Sequence, residues 1–410
     1  MADRRGVLMV VANTFATDTR VRREARALAS EGFDLEVLCW DRQGRRPFTE
    51  SIDGCRVRNI RLGKTTVLVS SKLYYLIAAV LFQAVILLWA VRRISSTRAL
   101  VLHAHDFNTL IACTAARLLL RERVRLIYDC HELTPGAYEE WYGPLVSGVV
   151  GRLELAALRW IDAIVAANEA ILHYLTHHKP IRGAVLYTCP AIREVPEIEP
   201  LDAKAKLGLR GCFVVLFSGR ARQDYDLDML LDAARDLRRN NLSDIRFLFT
   251  GPPETVSFLE TVAVNEGLQS LFDFRGWVPG EDLLLYYRAS DLCFAVTRDL
   301  GMNTKILTPI KLFESMACGV PVVVRDGTLA ADIVRRWCCG VVVDPTSDGF
   351  PAELISLRDT PGKIESLAAS GRNAFRQAYN WDLMQARLFG LYGEVLSTWC
   401  KMPEYRTCEV

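Results

Sequence analysis

The stretch TPIKLFESMACGVPVVVRDG, residues 308–327, has the pattern of an α-helix followed directly by a buried β-strand. Pro309 is suited to a helix start, and Gly319 is suited to the helix stop after Cys318. The run VPVVV that follows is short, apolar and β-branched, as expected of a strand covered on both faces. A helix leading at once into such a strand is the repeating unit of a parallel α/β sheet.

The same alternation of strand and helix patterns continues along the whole chain and predicts an α/β fold. Strands are predicted at 7–12, 34–40, 56–62, 99–105, 125–130, 163–168 and 184–188, and again at 213–219, 245–251, 271–277, 292–297, 320–326 and 340–345. The prediction is two doubly wound, Rossmann-like parallel-sheet domains that face each other across a cleft, where the carboxyl ends of the strands bind ligands.

The predicted boundaries follow breaks in this pattern. The first domain covers residues 1–188 and the second covers residues 205–380. Residues 189–204 contain three prolines and no periodicity, and we interpret them as a linker. Residues 381–410 are predicted to form a closing helix and a tail.

Composition excludes several classes of protein. Half of the 410 residues are hydrophobic and 24% are charged, so the chain is globular and not disordered. The net charge is +2, and no zinc-finger or RNA-recognition motif is present, so we expect no nucleic-acid partner. The twelve cysteines include no CxxC pair and are expected to be reduced thiols without a structural zinc ion. Charge is uneven, however: residues 1–185 carry +7 and the remainder −5.

Residues 73–91, LYYLIAAVLFQAVILLWAV, interrupt the pattern because they contain no charge and are flanked by Lys72, Arg92 and Arg93. Their length is close to the roughly 20 residues that span a bilayer. A crossing would place the strands at 56–62 and 99–105 on opposite sides of the membrane. We therefore favour a helix that contacts one leaflet through its aromatic and basic residues. A buried core helix and a true span are the alternatives.

The helix at 309–318 carries the most specific chemical signal. Its N-terminus offers free backbone N–H groups and a positive dipole end, which suit a phosphate. Lys311 and Glu314 are three residues apart and share one face. A cation beside a phosphate and a carboxylate that accepts sugar hydroxyls would together hold a nucleotide sugar. The alternative is a surface ion pair.

KLFESMACGVPVVV resembles the donor-site helix of the family 4 glycosyltransferases, which have the GT-B fold. The resemblance covers nearly the whole chain, and the further segments that match are DTRVRREARALASEGFDLEVL (18–38), HAHD (103–106), YDCHEL (128–133), FSGR (217–220) and FRGWVPGEDLLLYYRASDL (274–292). Members of this family transfer a sugar from a nucleotide donor with retention of anomeric configuration and without a metal. The resemblance implies that the second domain holds the donor and the first holds the acceptor.

The site residues implied by this resemblance fall into three sets. Glu314 would bind the ribose, Arg220 and Lys311 the diphosphate, and His131 would lie near the transferred sugar, which makes these four the catalytic set. The further donor-binding residues are Gly219, Arg222, Arg275, Gly276, Val278, Thr308, Pro309 and Ile310, of which the loop 275–279 would border the base. The acceptor-binding residues are Thr19, Arg20, His105, Asp106 and Glu132, and Arg20 could meet an acceptor phosphate.

The chemistry of these residues gives independent support. Positive side chains and a helix N-terminus stabilise a departing diphosphate and can replace a metal. A neutral His131 with basicity near neutral pH could hold or relay the acceptor proton, or it could only cap the following turn. His103 and His105 share one side of a strand but lack an evident third ligand, so we predict no metal and no cofactor.

Two departures from the family pattern bear on these roles. The family often has two glutamates eight positions apart, but Ile306 stands eight positions before Glu314, with Asn303 and Thr308 as possible replacements. The run after FSGR is ARQDYDLD, in which Asp224, Asp226 and Asp228 would repel a diphosphate unless they point away. Arg222 would then substitute for the lysine that usually follows FSGR.

We therefore expect a retaining, metal-independent hexosyltransferase-type enzyme that uses a nucleotide diphosphate sugar. The apolar segment 73–91 and the positive first half favour a lipid-linked or glycan acceptor in cell-surface glycan and polysaccharide biosynthesis. The N-terminus lacks the features of a signal peptide, so the enzyme is expected in the cytoplasm, at the inner face of the plasma membrane. The alternatives are a non-catalytic GT-B subunit that partners another transferase, and a nucleotide-sugar epimerase.

Overall fold

A computed structural model describes residues 6–62, 72–95, 100–344 and 349–400. Contacts divide the chain into two compact units. Unit 1 comprises residues 1–188 together with residues 384–410, and unit 2 comprises residues 189–383. Each unit is an α/β structure built on its own sheet.

The sheet of unit 1 has eight strands in the order β3-β4-β2-β1-β5-β6-β7-β8. The strands are β1 (Gly6–Val11), β2 (Asp34–Trp40), β3 (Thr49–Ile52), β4 (Cys55–Ile60), β5 (Leu100–His105), β6 (Val124–Cys130), β7 (Ala163–Ala166) and β8 (Gly183–Val185). All pairs are parallel except β3 with β4. The central strands β1, β5 and β6 are buried along their whole length, as their apolar sequences predict.

Strand β3 was not predicted, although the predicted strands of this unit are otherwise confirmed. It forms an antiparallel edge hairpin with β4 through Asp53 and Gly54, which both have positive φ values of 54° and 78°. An Asp-Gly pair is the usual two-residue turn of such a hairpin. The residues of β3 are only half-buried or exposed, so hydrophobic periodicity did not reveal this strand.

The helices of unit 1 flank the sheet. They are α1 (Thr19–Ser30), α2 (Lys72–Ser95), α3 (Phe107–Leu120), α4 (Thr134–Tyr142), α5 (Pro144–Ala157) and α6 (Glu169–His178). The side chain of Asp18 caps α1 by accepting a hydrogen bond from the Val21 N–H at 3.1 Å. The α1 N-terminus is therefore fixed beside the carboxyl ends of the strands.

Helix α2 contains the long apolar segment. Its residues 77–95 are long and apolar enough to cross a membrane, with a mean hydropathy of 1.9. One face of the helix is nevertheless buried inside unit 1, through residues Ala78, Phe82, Ile86, Ala90 and Ile94. Because β4 and β5, which precede and follow α2, lie in one sheet, a transmembrane crossing here is not compatible with this fold.

The sheet of unit 2 has six parallel strands in the order β11-β10-β9-β12-β13-β14. They are β9 (Phe213–Ser218), β10 (Ile245–Thr250), β11 (Phe272–Phe274), β12 (Leu292–Phe294), β13 (Val322–Arg325) and β14 (Gly340–Val343). This is the 3-2-1-4-5-6 order of the Rossmann fold, in which the strand order reverses between β9 and β12. Ligands bind such sheets at the carboxyl ends of the strands beside that reversal.

The helices of unit 2 are α7 (Pro200–Leu207), α8 (Asp228–Arg239), α9 (Pro253–Asn265), α10 (Gly280–Arg288), α11 (Met302–Ile306), α12 (Ile310–Cys318), α13 (Leu329–Trp337), α14 (Gly349–Asp359) and α15 (Pro361–Gln377). The predicted linker 189–204 is not wholly irregular, because α7 begins at Pro200. The proline that marked this segment as a linker instead occupies the first turn of a helix, where its missing N–H costs nothing.

The last helix, α16 (Trp381–Cys400), agrees with the predicted closing helix, while the predicted tail at 401–410 lies outside the described residues. From residue 384 onward α16 belongs to unit 1. The Met384 sulfur accepts a hydrogen bond from the Tyr187 N–H at 3.3 Å, and Arg182 donates to the Glu394 carbonyl at 2.9 Å. The C-terminal helix therefore completes the first unit.

Candidate active site

Helix α12 presents Lys311 from its first turn at the site in unit 2. Pro309 precedes the helix in an extended conformation and Gly319 ends it with a φ of 66°, as the sequence predicts. The Lys311 side chain is only 7% exposed, which excludes the surface ion pair. Its ammonium lies over the ring of Tyr225, 3.8 Å from the ring centroid, and 4.5 Å from that of Phe217.

The Lys311 ammonium also adjoins the glycine loop that follows β9. A Cβ atom added at Gly219 would lie 3.9 Å from the Lys311 Nζ. Gly219 has a φ of 95°, so its backbone favours glycine. The described residues give neither Lys311 nor the exposed Arg220 a side-chain hydrogen-bond or ion-pair partner. Two cations are thus available at the end of β9, which suits an anionic ligand.

Three glycine loops pack in sequence at the carboxyl ends of β9, β10 and β11. Gly251 has a φ of 148°, and a Cβ there would lie 2.2 Å from the Gly219 carbonyl oxygen, so only glycine fits. The Gly251 N–H donates to the Gly276 carbonyl at 2.8 Å. The predicted donor residues Gly219 and Gly276 are therefore joined through Gly251, at a sheet edge where backbone can approach a ligand closely.

Glu314 is held in place by Tyr287. The hydroxyl of Tyr287, a fully buried residue of α10, donates to Glu314 Oε2 at 2.7 Å. This contact fixes one carboxylate oxygen. A fixed carboxylate loses little conformational entropy when it accepts a further hydrogen bond from a ligand hydroxyl.

The remaining predicted donor residues differ in their availability. Arg275 donates to Asp273 Oδ1 at 2.7 Å and to the Leu207 carbonyl at 2.9 Å, so its guanidinium is held by its own unit. Arg222 is 59% exposed and its Nε lies 3.4 Å from Asp224 Oδ1. Val278 and Thr308 are half-buried, Pro309 is buried and Ile310 is exposed at the start of α12.

The acidic run after FSGR is neutralised by arginines. Asp224 pairs with Arg222, while Asp226 and Asp228 both pair with Arg298. The repulsion that this run would exert on a diphosphate is reduced by these pairs. Ile306, at the end of α11, leaves the second glutamate of the family pattern without an equivalent at this position.

The site in unit 1 centres on Asp129, which the sequence analysis did not single out. Asp129 is fully buried near the end of β6 and accepts hydrogen bonds from Arg20 Nη2 at 2.6 Å and Nε at 3.0 Å. Its Oδ2 also lies 2.9 Å from His131 Nε2 and 3.1 Å from His105 Nδ1. One carboxylate therefore orients three predicted site residues.

His131 lies between two carboxylates. Its Nε2 contacts Asp129, and its Nδ1 lies 3.3 Å from Asp106 Oδ2. Burial by itself lowers the pKa of His131, but the charges of Asp106 and Asp129 outweigh this and raise the pKa to about 10. The expectation of a neutral His131 is therefore wrong: the ring is an imidazolium at neutral pH and cannot take a proton.

Two predicted acceptor residues are not accessible. Arg20 is 7% exposed, and its guanidinium is engaged by Asp129, Glu24 and the Leu186 carbonyl. His105 is fully buried. Direct contact of either residue with an acceptor is not compatible with this burial. The sequence pattern did not show that both side chains would turn inward toward a buried carboxylate. Thr19 and Glu132 are exposed and Asp106 is half-buried.

The residues that sequence reasoning missed are Glu24, Asp129, Gly251 and Tyr287. Asp129 was detectable as a carboxylate inside an otherwise apolar strand, since a buried charge requires a partner. Gly251 follows its strand as Gly219 does. Glu24 and Tyr287 carry no signal of their own, because their roles depend on contacts that only the fold creates.

Two family models match most of the chain. The model described as glycosyl transferase 4-like domain matches residues 16–188, and the model of glycosyl transferases group 1 matches residues 202–374. The chain belongs to the family 4 glycosyltransferases. The resemblance recognised in the sequence motifs is thereby confirmed.

Curated relatives of this family 4 chain match it over part of its length. A GDP-mannose-dependent alpha-(1-6)-phosphatidylinositol monomannoside mannosyltransferase from Mycolicibacterium smegmatis is 29% identical over 46% of this chain and 50% of the relative. D-inositol 3-phosphate glycosyltransferase 1 from Catenulispora acidiphila is 29% identical over 47% of this chain and 46% of the relative. The chain spans about half the length of the curated relatives it matches.

Solved structures resemble the family 4 chain over nearly all of it. Sucrose-phosphate synthase from Thermosynechococcus elongatus has a TM-score of 0.74 at 18% identity and covers 96% of this chain and 100% of its own. Anabaena HepE in complex with UDP-glucose has a TM-score of 0.69 at 14% identity and covers 96% and 99%. These likenesses confirm the predicted GT-B fold class.

Proposed function

We propose that this chain transfers a sugar from a nucleotide diphosphate sugar to an acceptor, with retention of anomeric configuration and without a metal in the reaction. One observation carries the proposal. The buried Lys311 ammonium lies beside Gly219, and the described residues give it no ion-pair partner. A buried cation with no counter-charge is costly, so the site is suited to a ligand that supplies negative charge.

The chemistry of transfer fits the residues around Lys311. Breaking the bond between an anomeric carbon and a diphosphate leaves charge on the phosphate. Lys311, Arg220 and the α12 N-terminus would stabilise that charge, and Glu314, fixed by Tyr287, would accept the ribose hydroxyls. The imidazolium of His131 would orient the sugar or the acceptor hydroxyl as a donor, and would not remove its proton.

The donor class is tested by thermal shift with UDP-, GDP- and ADP-sugars and the matching free nucleotides. We expect one base to raise the Tm of the wild type, and Glu314→Gln to lose most of that shift. Lys363→Met, which alters an exposed ion pair with Glu353, serves as the control. Absence of a shift with every nucleotide would overturn the proposal and favour the non-catalytic subunit.

The product distinguishes a transferase from an epimerase. Mass spectrometry of an acceptor incubated with the stabilising donor should show one added hexose, and NMR should show the anomeric configuration of the donor. An isomerised donor without transfer would assign the protein to the epimerases, and an inverted product would remove the proposal of retention.

For the acceptor, we propose a lipid-linked molecule in cell-surface glycan assembly at the cytosolic face of the membrane. Helix α2 supports this proposal because it is apolar on the face opposite to its buried one. The exposed fractions of Ile77, Val80, Leu81 and Leu88 are 48, 61, 50 and 69%. The phosphatidylinositol mannoside in the name of the Mycolicibacterium relative is also a lipid.

Neighbouring helices of unit 1 add to this apolar surface. Helix α3 packs against both α2 and α5, and α5 packs against α4. Leu119 on α3, Trp141 on α4 and Leu145 on α5 are 63, 77 and 86% exposed. Exposed apolar side chains on four adjoining helices suit an interaction surface, since contiguous apolar patches mark such surfaces.

The anchoring residues differ from the sequence expectation. Arg93 is buried and pairs with Asp34 at 2.5 Å, and the Trp89 Nε1 donates to Glu36 at 3.2 Å. Both point toward the protein because β2 offers the carboxylates of Asp34 and Glu36. Of the predicted anchors at the end of the segment, Arg92 is exposed and would meet anionic lipid.

Flotation with liposomes tests the membrane contact. We expect the full chain to float with vesicles that contain anionic lipid, and Leu81→Asp combined with Leu88→Asp to abolish this. Leu201→Asp, which places the same charge at a 74% exposed leucine of unit 2, should float as the wild type does. A wild type that does not bind the vesicles would refute membrane contact and leave the donor site untouched.

A further inference from the structure

Glu24, His103 and His105 form a buried cluster inside unit 1. All three side chains are fully buried, and they come from α1 and β5. One ligating atom from each, together with one from Asp129, lies within 4.8 Å of the other three. The strand pattern HxH places the two imidazoles on one side of β5, where the sequence analysis found no third ligand; the fold brings Glu24 to them.

The polar atoms of this cluster lack hydrogen-bond partners. Both carboxylate oxygens of Glu24 and the Nε2 atoms of His103 and His105 are buried without one. Glu24 Oε2 lies 3.7 Å from His103 Nε2, which is too long for a hydrogen bond. Glu24 Oε1 has an ion pair with Arg20 Nε at 3.3 Å. A buried polar atom without a partner costs about 1–3 kcal/mol, so the two imidazole Nε2 atoms, with Glu24 Oε2 beside that of His103, call for a ligand.

The other nitrogen of each ring is held as in metal-binding histidines. His103 Nδ1 lies 2.9 Å from the Tyr392 hydroxyl, and His105 Nδ1 lies 3.1 Å from Asp129 Oδ2. Histidines that ligate a metal through one nitrogen usually bond such a carboxylate or hydroxyl through the other. The oxygens of Asp129 already accept from Arg20, so Asp129 orients His105 and Glu24 supplies the carboxylate ligand.

We propose that Glu24, His103 and His105 hold a divalent transition-metal ion, for which Zn²⁺ is the probe. Two imidazoles and one carboxylate are a donor set for Zn²⁺ and its first-row neighbours, whereas Mg²⁺ and Ca²⁺ require oxygen donors. Arg20 Nε lies 3.3 Å from Glu24 Oε1, on the oxygen that does not face His103. Arg20 can therefore stay in place beside the bound ion.

Metal loading has one structural requirement. The rings of His103 and His105 are stacked, 4.5 Å apart and 19° from parallel. Because a ligated metal lies in the plane of each imidazole, the rings must turn toward Glu24. The ion would join α1 to β5, and through Tyr392 to α16. This structural site is separate from the proposed transfer reaction, so either proposal can fail without the other.

Metal binding is measured on the full chain after chelation and dialysis. We expect one equivalent of Zn²⁺ by elemental analysis and competition titration, and a weakening of at least about tenfold for Glu24→Gln. His173 and His177 form a pair on α6 that could bind zinc at the surface, so His177→Gln is the control and should bind as the wild type. Absence of binding, or equal binding by Glu24→Gln, would overturn the proposal.

A spectroscopic measurement on the wild type covers the case in which Glu24→Gln does not fold. Co²⁺ at this site should give visible d–d absorption without a thiolate charge-transfer band, and Zn²⁺ should raise the Tm. Tyr392→Phe, which keeps all three ligands but removes the hydroxyl on His103, should weaken binding less than Glu24→Gln. A thiolate band, or no Co²⁺ spectrum, would refute the site.

Discussion

The sites of the two units differ in how their charges are balanced. In unit 2, Lys311 and Arg220 have no ion-pair partner among the described residues, and Glu314 is held by a neutral hydroxyl. In unit 1, the cations Arg20 and His131 are already matched by Asp129, Asp106 and Glu24. The cations of unit 2 therefore lack a counter-charge that an anionic ligand would supply, whereas the cations of unit 1 are already paired within the protein.

This difference predicts different roles for the two sites: that of unit 2 binds a charged ligand, and the network of unit 1 positions side chains. Unmatched cations gain most when a charged ligand arrives, because the ligand supplies the missing counter-charge. A matched network gains little from a charged ligand, but it holds side chains in one orientation. We therefore expect mutations in unit 2 to change ligand affinity and mutations in the unit 1 network to change stability.

The largest expected effect is on the stability of unit 1. Asp129→Asn should lower the free energy of unfolding by about 3–5 kcal/mol, because it removes the buried negative charge that Arg20 and His131 share. Asp53→Asn is the matched control: it breaks a pair between Asp53 and Arg22, an arginine of the same helix, that is partly exposed. That change should cost no more than about 1 kcal/mol. Denaturant unfolding measures both, and equal losses would contradict a buried network.

The next largest effect is on activity in unit 2. Lys311→Met keeps most of the side-chain volume and removes the charge beside Gly219. We expect kcat/KM to fall by about 10²-fold or more, with little change in unfolding free energy, since the cation has no ion-pair partner to lose and the apolar Met side chain can still pack on the rings of Tyr225 and Phe217. Steady-state kinetics with the stabilising donor measure this. A variant that loses stability but keeps its activity would reverse the assignment of the two sites.

The pH dependence of stability sharpens the comparison further. Because the pKa of His131 is raised to about 10 in the folded state, its stabilising contribution is complete below pH 6.5 and is lost as the pH rises toward 10. The loss should be up to about 1.4 kcal/mol per pH unit within this window. His131→Gln should flatten the curve of unfolding free energy between pH 7 and 9, and an unchanged slope would show that the ring is neutral.

The smallest expected effect concerns the support of Glu314. Tyr287→Phe removes one hydrogen bond to the carboxylate and should weaken donor binding by roughly five- to tenfold, from a net contribution of about 1 kcal/mol. Tyr286→Phe, at the half-buried neighbouring position, should leave the affinity unchanged. Isothermal titration calorimetry with the donor nucleotide compares the two variants. Equal affinities of Tyr287→Phe and Tyr286→Phe would show that Tyr287 does not support donor binding.

The sequence predicted the fold well because its signal is repeated. Each strand of the two parallel sheets is a short apolar run between helices, and the strands differ from prediction mainly at their ends. The predicted strand 271–277, for example, ends at Phe274 because Gly276 turns away with a φ of 68°. The edge strand at Thr49–Ile52 was missed because it is too exposed to show alternation.

The site was predicted less completely because side-chain partners depend on long-range contacts. Lys311 and Glu314 were recognised as a pair on one helix, but the aromatic rings beneath Lys311 come from elsewhere in the chain. Arg20 and Asp129 are 109 residues apart, so no local pattern joins them. Burial also changes the roles of two residues. Arg20 and His105 were predicted to contact the acceptor, but both are buried and contact Asp129, which orients His131.

The return of α16 to unit 1 affects the order in which the protein can mature on the ribosome. Domains usually fold in the order in which they are synthesised. Here the chain leaves unit 1 after residue 188 and comes back at residue 384, and Tyr392 from the returning helix contacts His103 in the middle of the first sheet. Unit 2 can therefore reach its native state while the nascent first unit is still missing a helix.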